Sequence, residues 1–323
     1  MNKLIDQFAR PIQYLRLSIT DRCNLRCVYC EAEEEFMEKP REQILHLEEL
    51  ARFAKIAVAL GINKVRVTGG EPLVRRNVVR LIEQLAAIPG LQDLSLTTNG
   101  ALLAPLAAEL KRAGLQRINI HLDSLNPTTY ARTTCGHDVA PVLAGIDAAL
   151  VQGLHPVKIN VVVHAGTIDE LEDFEKLAHE KPVHVRFIEE MDLPYQRASR
   201  AGKGWTENIL RLVKAHGYEP SSSLLGFGPA RTFAKPGDAG TLGIIHNLDG
   251  HHCARCNRLR LTADGRIKPC LFSGRVLNVF PLLRENAPAE AIAEMIRAAV
   301  ADKPENGLTS LEPEWRRMRE IGG

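Results

Sequence analysis

Residues 14–30, YLRLSITDRCNLRCVYC, open as an apolar, β-branched-rich run and close as a loop carrying Cys23, Cys27 and Cys30. Similar runs begin near Lys64 (KVRVTGG), Asp93 (DLSLTTN), Arg117 (RINIHLD), Val157 (VKINVVVH) and Val183 (VHVRFIE). Between them LEELARFAKIAVAL, VVRLIEQLAAI, LLAPLAAELKRAG, VLAGIDAALVQG and DELEDFEKLAHE show the three-and-four apolar spacing of amphipathic helices. Gly61, Gly114 and Gly153 stand where three of these helices should end. Six consecutive βα units imply an α/β fold with a parallel sheet and helices packed outside. The sheet could be open and doubly wound, or a partial barrel. Polar and glycine-rich residues follow nearly every strand: the cysteines, Gly69-Gly70-Glu71-Pro72, Thr97-Thr98-Asn99-Gly100 and Asp123-Ser124. The C-terminal ends of parallel strands open on one face, where α/β barrels place their chemistry, so a partial TIM-type (βα)6 barrel is the expectation.

After Trp205 the pattern changes. A helix is expected in ENILRLVKAHG, followed by a Gly/Pro/Ser-rich stretch of turns and short strands, SSSLLGFGPARTFAKPGDAGTLG. Then come Cys253, Cys256 and Cys270, and a last helix near AEAIAEMIRAAV. The division expected is a barrel over 1–216 and an auxiliary unit over 217–323.

Composition bounds what the chain can do. Lys+Arg is 41 against Asp+Glu 39, a net charge of +2, which gives no support to a large nucleic-acid footprint. No stretch approaches the length of a membrane span, and the N-terminus has no apolar leader, so a cytoplasmic protein is expected. Six of the seven cysteines fall in two tight groups, with Cys135 apart. In a reducing compartment such grouping suggests metal rather than disulfides.

Three thiolates suit a [4Fe–4S] cubane and leave one iron without a protein ligand. S-adenosylmethionine offers that iron an amino group and a carboxylate. A zinc site would need a fourth ligand from afar, since none lies nearby in sequence. The Cys-x3-Cys-x2-Cys spacing, its place after the first strand and Tyr29 before the last cysteine resemble the radical S-adenosylmethionine superfamily. In that superfamily the segment matching Gly69-Gly70-Glu71-Pro72 holds the methionine end of the cofactor. The second group, Cys253-x2-Cys256-x13-Cys270, fits either a second cubane or a Cys3His zinc site using His251 or His252. Beside it Arg258 and Arg260 alternate, so on a strand they would share a face. Arg16, Arg66, Lys158 and Arg186 are further strand cations. So many cations directed at one face suggest an anionic ligand, and arginine forks suit phosphate oxygens.

Here the likeness becomes specific. YLRLSITDRCNLRCVYC, KVRVTGGEPLVRR, LTTNG, VKINVVV, RFIEEM, CARCNRLRLTADGRIKPCLF and the terminal Gly322-Gly323 resemble the GTP 3′,8-cyclase family. The resemblance implies a partial barrel whose open end is capped by a C-terminal α+β extension. It implies radical chemistry that abstracts the ribose 3′ hydrogen of GTP and gives 3′,8-cyclo-7,8-dihydro-GTP, the first step of molybdenum cofactor biosynthesis. By the same resemblance, Cys23, Cys27 and Cys30 hold the radical-forming cluster, and Cys253, Cys256 and Cys270 hold a substrate-binding one. Arg16, Arg66, Thr97, Lys158, Arg258, Leu259 and Arg260 match GTP contacts, with Arg186 a further phosphate candidate. Tyr29, Gly70, Met191 and His121 match S-adenosylmethionine contacts, and Gly322-Gly323 match a tail that enters the site. The implied partners are a reductant protein and cyclic pyranopterin monophosphate synthase, which would take the product. Both monomer and homodimer fit the sequence.

Three positions depart from the family pattern: His121 where Ser is usual, Glu31-Ala32 after the third cysteine, and Cys135 in place of a turn glycine. Rival readings are a peptide-modifying radical enzyme with an auxiliary cluster, and a non-catalytic metal-binding module.

Overall fold

The computed structural model describes residues 4–30, 37–189, 204–221, 230–246, 251–307 and 318–322. Six strands, β1 (Tyr14–Ser18), β2 (Lys64–Thr68), β3 (Asp93–Thr98), β4 (Arg117–His121), β5 (Val157–Val162) and β6 (Val183–Ile188), lie side by side in chain order, each parallel to the next. The expected helices occupy Leu47–Ala59, Val78–Ala86, Leu103–Arg112, Ala140–Val151 and Leu171–Glu180. Strand period explains the layering. Leu15, Leu17, Val65, Val67, Ile118, Ile120, Val157 and Ile159 point outward under the helices and are fully buried. Each such burial stabilises by about 1.5–3 kcal/mol. The alternate residues, Arg16, Arg66, Thr97, Asn119, Lys158 and Arg186 among them, line the inner face.

The sheet is curled. His121 on β4 feels the charges of Arg16 on β1, Arg66 on β2 and Arg186 on β6, so the inner faces converge on one interior. Six more strands continue the sheet at both edges: β7 (Glu219–Pro220), β8 (Arg231–Ala234), β9 (Thr241–Ile245), β10 (Arg258–Leu261), β11 (Arg266–Lys268) and β12 (Leu277–Asn278). The full order is β12-β11-β10-β1-β2-β3-β4-β5-β6-β9-β8-β7. Thus the C-terminal extension adds to the partial barrel on both sides, with β9 parallel to β6 and β10 parallel to β1.

One helix, Pro127–Thr134, has no counterpart in the apolar periodicity. Asn126 starts it: its Oδ1 accepts from the amides of Thr128 and Thr129 at 2.9 and 3.1 Å. It stops at Cys135, whose φ of 59° is the left-handed conformation that the usual glycine adopts without cost. Among the described residues no helix is long and apolar enough to cross a membrane.

Candidate active site

The first cysteine loop is built against two neighbouring loops. Gly70 donates to the Thr20 carbonyl and Glu71 to the Arg22 carbonyl, both at 2.7 Å. A Cβ on Gly70 would lie 2.3 Å from the Arg22 carbonyl oxygen, so only glycine allows this approach. Glu71 then carries the link onward. Its carboxylate accepts from the amides of Leu73 at 2.9 Å and Asn99 at 2.7 Å, and from Thr98 Oγ1 at 2.8 Å. Burial raises the Glu71 carboxyl to about 7. Asn99 reaches Asn24 Oδ1 at 2.9 Å and Cys23 Sγ at 3.8 Å. On the other side, the Val28 amide donates to the Thr133 carbonyl at 3.0 Å. Cys23, Cys27 and Cys30 are half-buried and none is in a disulfide. Burial, and then the Asp123 carboxylate, push the Cys27 thiol up.

Tyr29, between the second and third cysteines, is also anchored by its side chain. Its hydroxyl donates to Asp123 Oδ2 at 2.6 Å, and Asp123 Oδ1 accepts from the Val162 amide at 2.8 Å. This ties the cysteine loop to the ends of β4 and β5. Burial and the Asp123 carboxylate hold the Tyr29 hydroxyl in its protonated form.

Deeper in the barrel the inner face is cationic. Arg260, Arg16 and Arg66 sit abreast on β10, β1 and β2, with Arg258 beside Tyr14 one step below. Opposite them, Asn119 pairs with Lys158 and Asn160 with Arg186. The Arg66 guanidinium lies over the Tyr14 ring at 5.4 Å and donates to Ser95 Oγ at 3.3 Å. Arg186 donates to Asn119 Oδ1 at 2.9 Å and Asn160 Oδ1 at 2.5 Å. These partners of Arg66 and Arg186 are neutral. Asp93, the nearby carboxylate, is paired with Arg117. The strain shows in the proton affinities. Burial, then the Arg186, Arg117 and Arg66 charges, lower Lys158 to about 7. Burial, then Arg66, lower Arg186 to about 9. Burial and Arg260 lower Arg16. Burial, then Arg16, lower His121 to about 4, so its imidazole is neutral at pH 7. Such a wall is complementary to a polyanion.

The second cysteine group borders this wall. Cys253 lies in a short helix, His251–Ala254, and Cys256 two residues before β10. Cys270 follows β11. All three are half-buried and free of disulfides. Burial opposes ionisation of Cys256, but Lys303 and Arg258 outweigh it and lower the thiol. No three His, Cys, Asp or Glu among the described residues are gathered round a single metal-ion position.

The chain's last described residue, Gly322, is buried inside the barrel. Its carbonyl accepts from Arg260 Nη1 at 3.0 Å, its φ is +76°, and a Cβ there would lie 2.4 Å from Thr68 Cγ2. Leu259 alternates away from its two arginines and is fully buried in the outer core beside Leu15, so only its backbone faces inward. Met191, Gly323, Glu31-Ala32 and the side chains of His251 and His252 lie outside the described residues. Sequence reasoning missed Asn119, Asn160, Arg10 and Lys303. The two asparagines carry a readable signal, being polar at inward positions of otherwise apolar strands.

Two family models match the chain: the Radical SAM superfamily over residues 17–178 and Molybdenum Cofactor Synthesis C over 183–308. Among solved structures, anSMEcpe with bound AdoMet shares the fold at 16% identity, with a TM-score of 0.59 over 96% of this chain and 88% of that one. Streptococcus suis SuiB bound to precursor peptide SuiA gives a TM-score of 0.61 at 13% identity, over 96% and 76%. Likeness at that identity concerns the fold alone. The curated relatives are far nearer. The GTP 3′,8-cyclase of Moorella thermoacetica is 46% identical over 98% of this chain and 99% of its own length. That of Listeria monocytogenes is 42% identical over the full length of both. Identity of this order from end to end, with both family models matched in turn, means that the chain belongs to the GTP 3′,8-cyclase family.

Proposed function

We propose that this protein is a radical S-adenosylmethionine enzyme that cyclises GTP to 3′,8-cyclo-7,8-dihydro-GTP, the opening step of molybdenum cofactor biosynthesis. The observation that carries the substrate is the cationic inner wall: Arg16, Arg66 and Arg260 abreast, with Lys158 and Arg186 opposite. A triphosphate would relieve the mutual repulsion that lowers Arg16, Lys158 and Arg186. The residues also fit the cofactors. Each triplet offers three thiols that are in no disulfide. Thr97 Oγ1, His121 Nδ1 and the Tyr14 hydroxyl are shielded from solvent and have no hydrogen-bond partner among the described residues, as a site awaiting polar ligands requires.

Cys23, Cys27 and Cys30 would hold one [4Fe–4S] cluster, and Cys253, Cys256 and Cys270 the other. When bound and reduced, the first cluster would supply the electron for reductive cleavage of S-adenosylmethionine, the source of the radical that would abstract the ribose 3′ hydrogen. The chain's own residues do the rest. The Gly70 and Tyr29 backbones would border the cofactor's methionine end, and Tyr29 is fixed through Asp123. His121, neutral and without a partner at Nδ1 among the described residues, would offer the cofactor one hydrogen bond. Arg16, Arg66, Lys158, Arg186, Arg258 and Arg260 would clamp the triphosphate and so hold the ribose still; fixed geometry of this kind lowers a barrier without further chemistry. The Leu259 backbone and Thr97 complete the nucleotide pocket.

Residues 1–216 would handle the cofactor and 217–323 the nucleotide base. We take the protein as cytoplasmic, reduced by a separate protein and passing its product to cyclic pyranopterin monophosphate synthase. Anaerobic reconstitution tests the reading. It predicts about eight irons per chain if both cubanes form, and 5′-deoxyadenosine released only when GTP is present. Formation of 5′-deoxyadenosine at the same rate without GTP would contradict it.

A further inference from the structure

Lys303 follows the helix Ala289–Ala301 and is only 2% exposed. A buried ammonium is costly unless negative charge meets it. Among the described residues no carboxylate pairs with it. Its Nζ donates to the Arg258 carbonyl at 2.9 Å and the Pro269 carbonyl at 2.6 Å. Arg258 stands two residues after Cys256, and Pro269 immediately before Cys270. The ammonium therefore bridges the two segments that carry these cysteines, and its charge acts on the Cys256 sulfur.

Neighbouring contacts complete a frame around the triplet. Arg10 donates to the Cys253 carbonyl at 2.7 Å, to Glu305 at 2.9 Å and to Pro304 at 2.6 Å. Gly307 packs so close to Cys270 that a Cβ would lie 2.7 Å from its sulfur. The segment 303–307 thus touches the surroundings of all three cysteines. The two cations differ in one respect. Arg10 has its own carboxylate, Asp6, at 2.6 Å. Among the described residues the Lys303 ammonium meets only the Arg258 and Pro269 carbonyls, with the Cys256 sulfur within reach of its charge.

We propose that Lys303 is a positioning residue for the second [4Fe–4S] cluster, and that the cluster's net negative charge is the counter-ion its ammonium lacks. This rests on reading the second triplet as a cluster site. A dicationic cubane core held by three thiolates is net negative, and more so when reduced. A fixed positive charge against one of its sulfurs favours the reduced form, since net charge and hydrogen bonds to sulfur set such potentials. Lys303 is then needed both to hold Cys256 and Cys270 in place and to raise the potential of the second cluster relative to the first.

The test compares reconstituted full-length wild type, Lys303→Gln and Lys303→Met by iron analysis and EPR-monitored redox titration. The first cluster serves as an internal control. Either of two results supports the role. In one, the second midpoint moves negative by about 59 mV or more, a tenfold change for one electron, while the first stays put. In the other, the variants keep the first cluster and lose the second. An unchanged second midpoint in a Gln variant with full iron overturns it, as does an equal shift of both clusters. If the Met variant does not fold, the Gln variant decides by the same outcomes. Wild type that takes up only one cluster would overturn the cluster reading itself, which is a distinguishable failure.

Discussion

Lys158 shows how one residue reports on the ligand. Burial and three arginines lower its ammonium to about 7 in the free protein. A triphosphate beside it would return it toward its ordinary range. The sign follows: between pH 7 and that range the free protein has lost a proton that the complex holds, so binding takes up protons and weakens as pH rises. Calorimetry at pH 8 in two buffers of different ionisation heat should show proton uptake on GTP binding. Lys158→Met should remove it and weaken GTP roughly 10- to 100-fold, as a charge-assisted hydrogen bond of about 1.5–3 kcal/mol implies. Uptake unchanged in the variant would count against Lys158 as a phosphate ligand. Lys158 was legible in the sequence because strand period alone aims it inward. So were the cysteines, whose spacing is local. Lys303 and Arg10 were not. Their partners around the second triplet are backbone carbonyls that any residue could supply, and Arg10 reaches Cys253 across 243 positions.

At the scale of elements, the strand-to-loop junctions carry the site. The loops after β1, β2 and β3 are fastened by Gly70, Glu71 and Asn99 into one unit. Gly70→Ala would force a Cβ to 2.3 Å of the Arg22 carbonyl oxygen. It should destabilise the protein by about 1–3 kcal/mol, the range for overpacking, and reduce iron retention at the first triplet while sparing the second. Thermal melting and iron analysis check both; equal iron loss at the two triplets would contradict it. The six βα units were readable because apolar period separates strand from helix. The Pro127–Thr134 helix was not, because an Asn126 cap and a contact from Val28 support it where no apolar stripe does.

Over the whole molecule, the C-terminal part extends the barrel sheet at both edges rather than standing beside it. β10 pairs with β1 and so brings Arg258 and Arg260 level with Tyr14 and Arg16. Nothing local in the chain announces that pairing, which joins segments more than 240 positions apart; only the shared cationic pattern hints at a common face. The chain's end then returns to the same place through Gly322 and Arg260. Gly322→Ala would meet both a left-handed φ and Thr68 Cγ2 at 2.4 Å. It should leave the melting temperature of the protein nearly unchanged but slow GTP turnover at least about tenfold, a barrier change of about 1.4 kcal/mol. Turnover at the wild-type rate would mean that the tail is a passive end. At every scale the barrel serves to present the ribose of GTP to radical chemistry. The most direct measurement uses GTP carrying deuterium at the ribose 3′ carbon, with the reconstituted enzyme, S-adenosylmethionine and a reductant. Deuterium should appear in the 5′-deoxyadenosine as a cyclised nucleotide forms; 5′-deoxyadenosine without deuterium, released alongside unchanged GTP, would contradict radical abstraction at the ribose 3′ carbon.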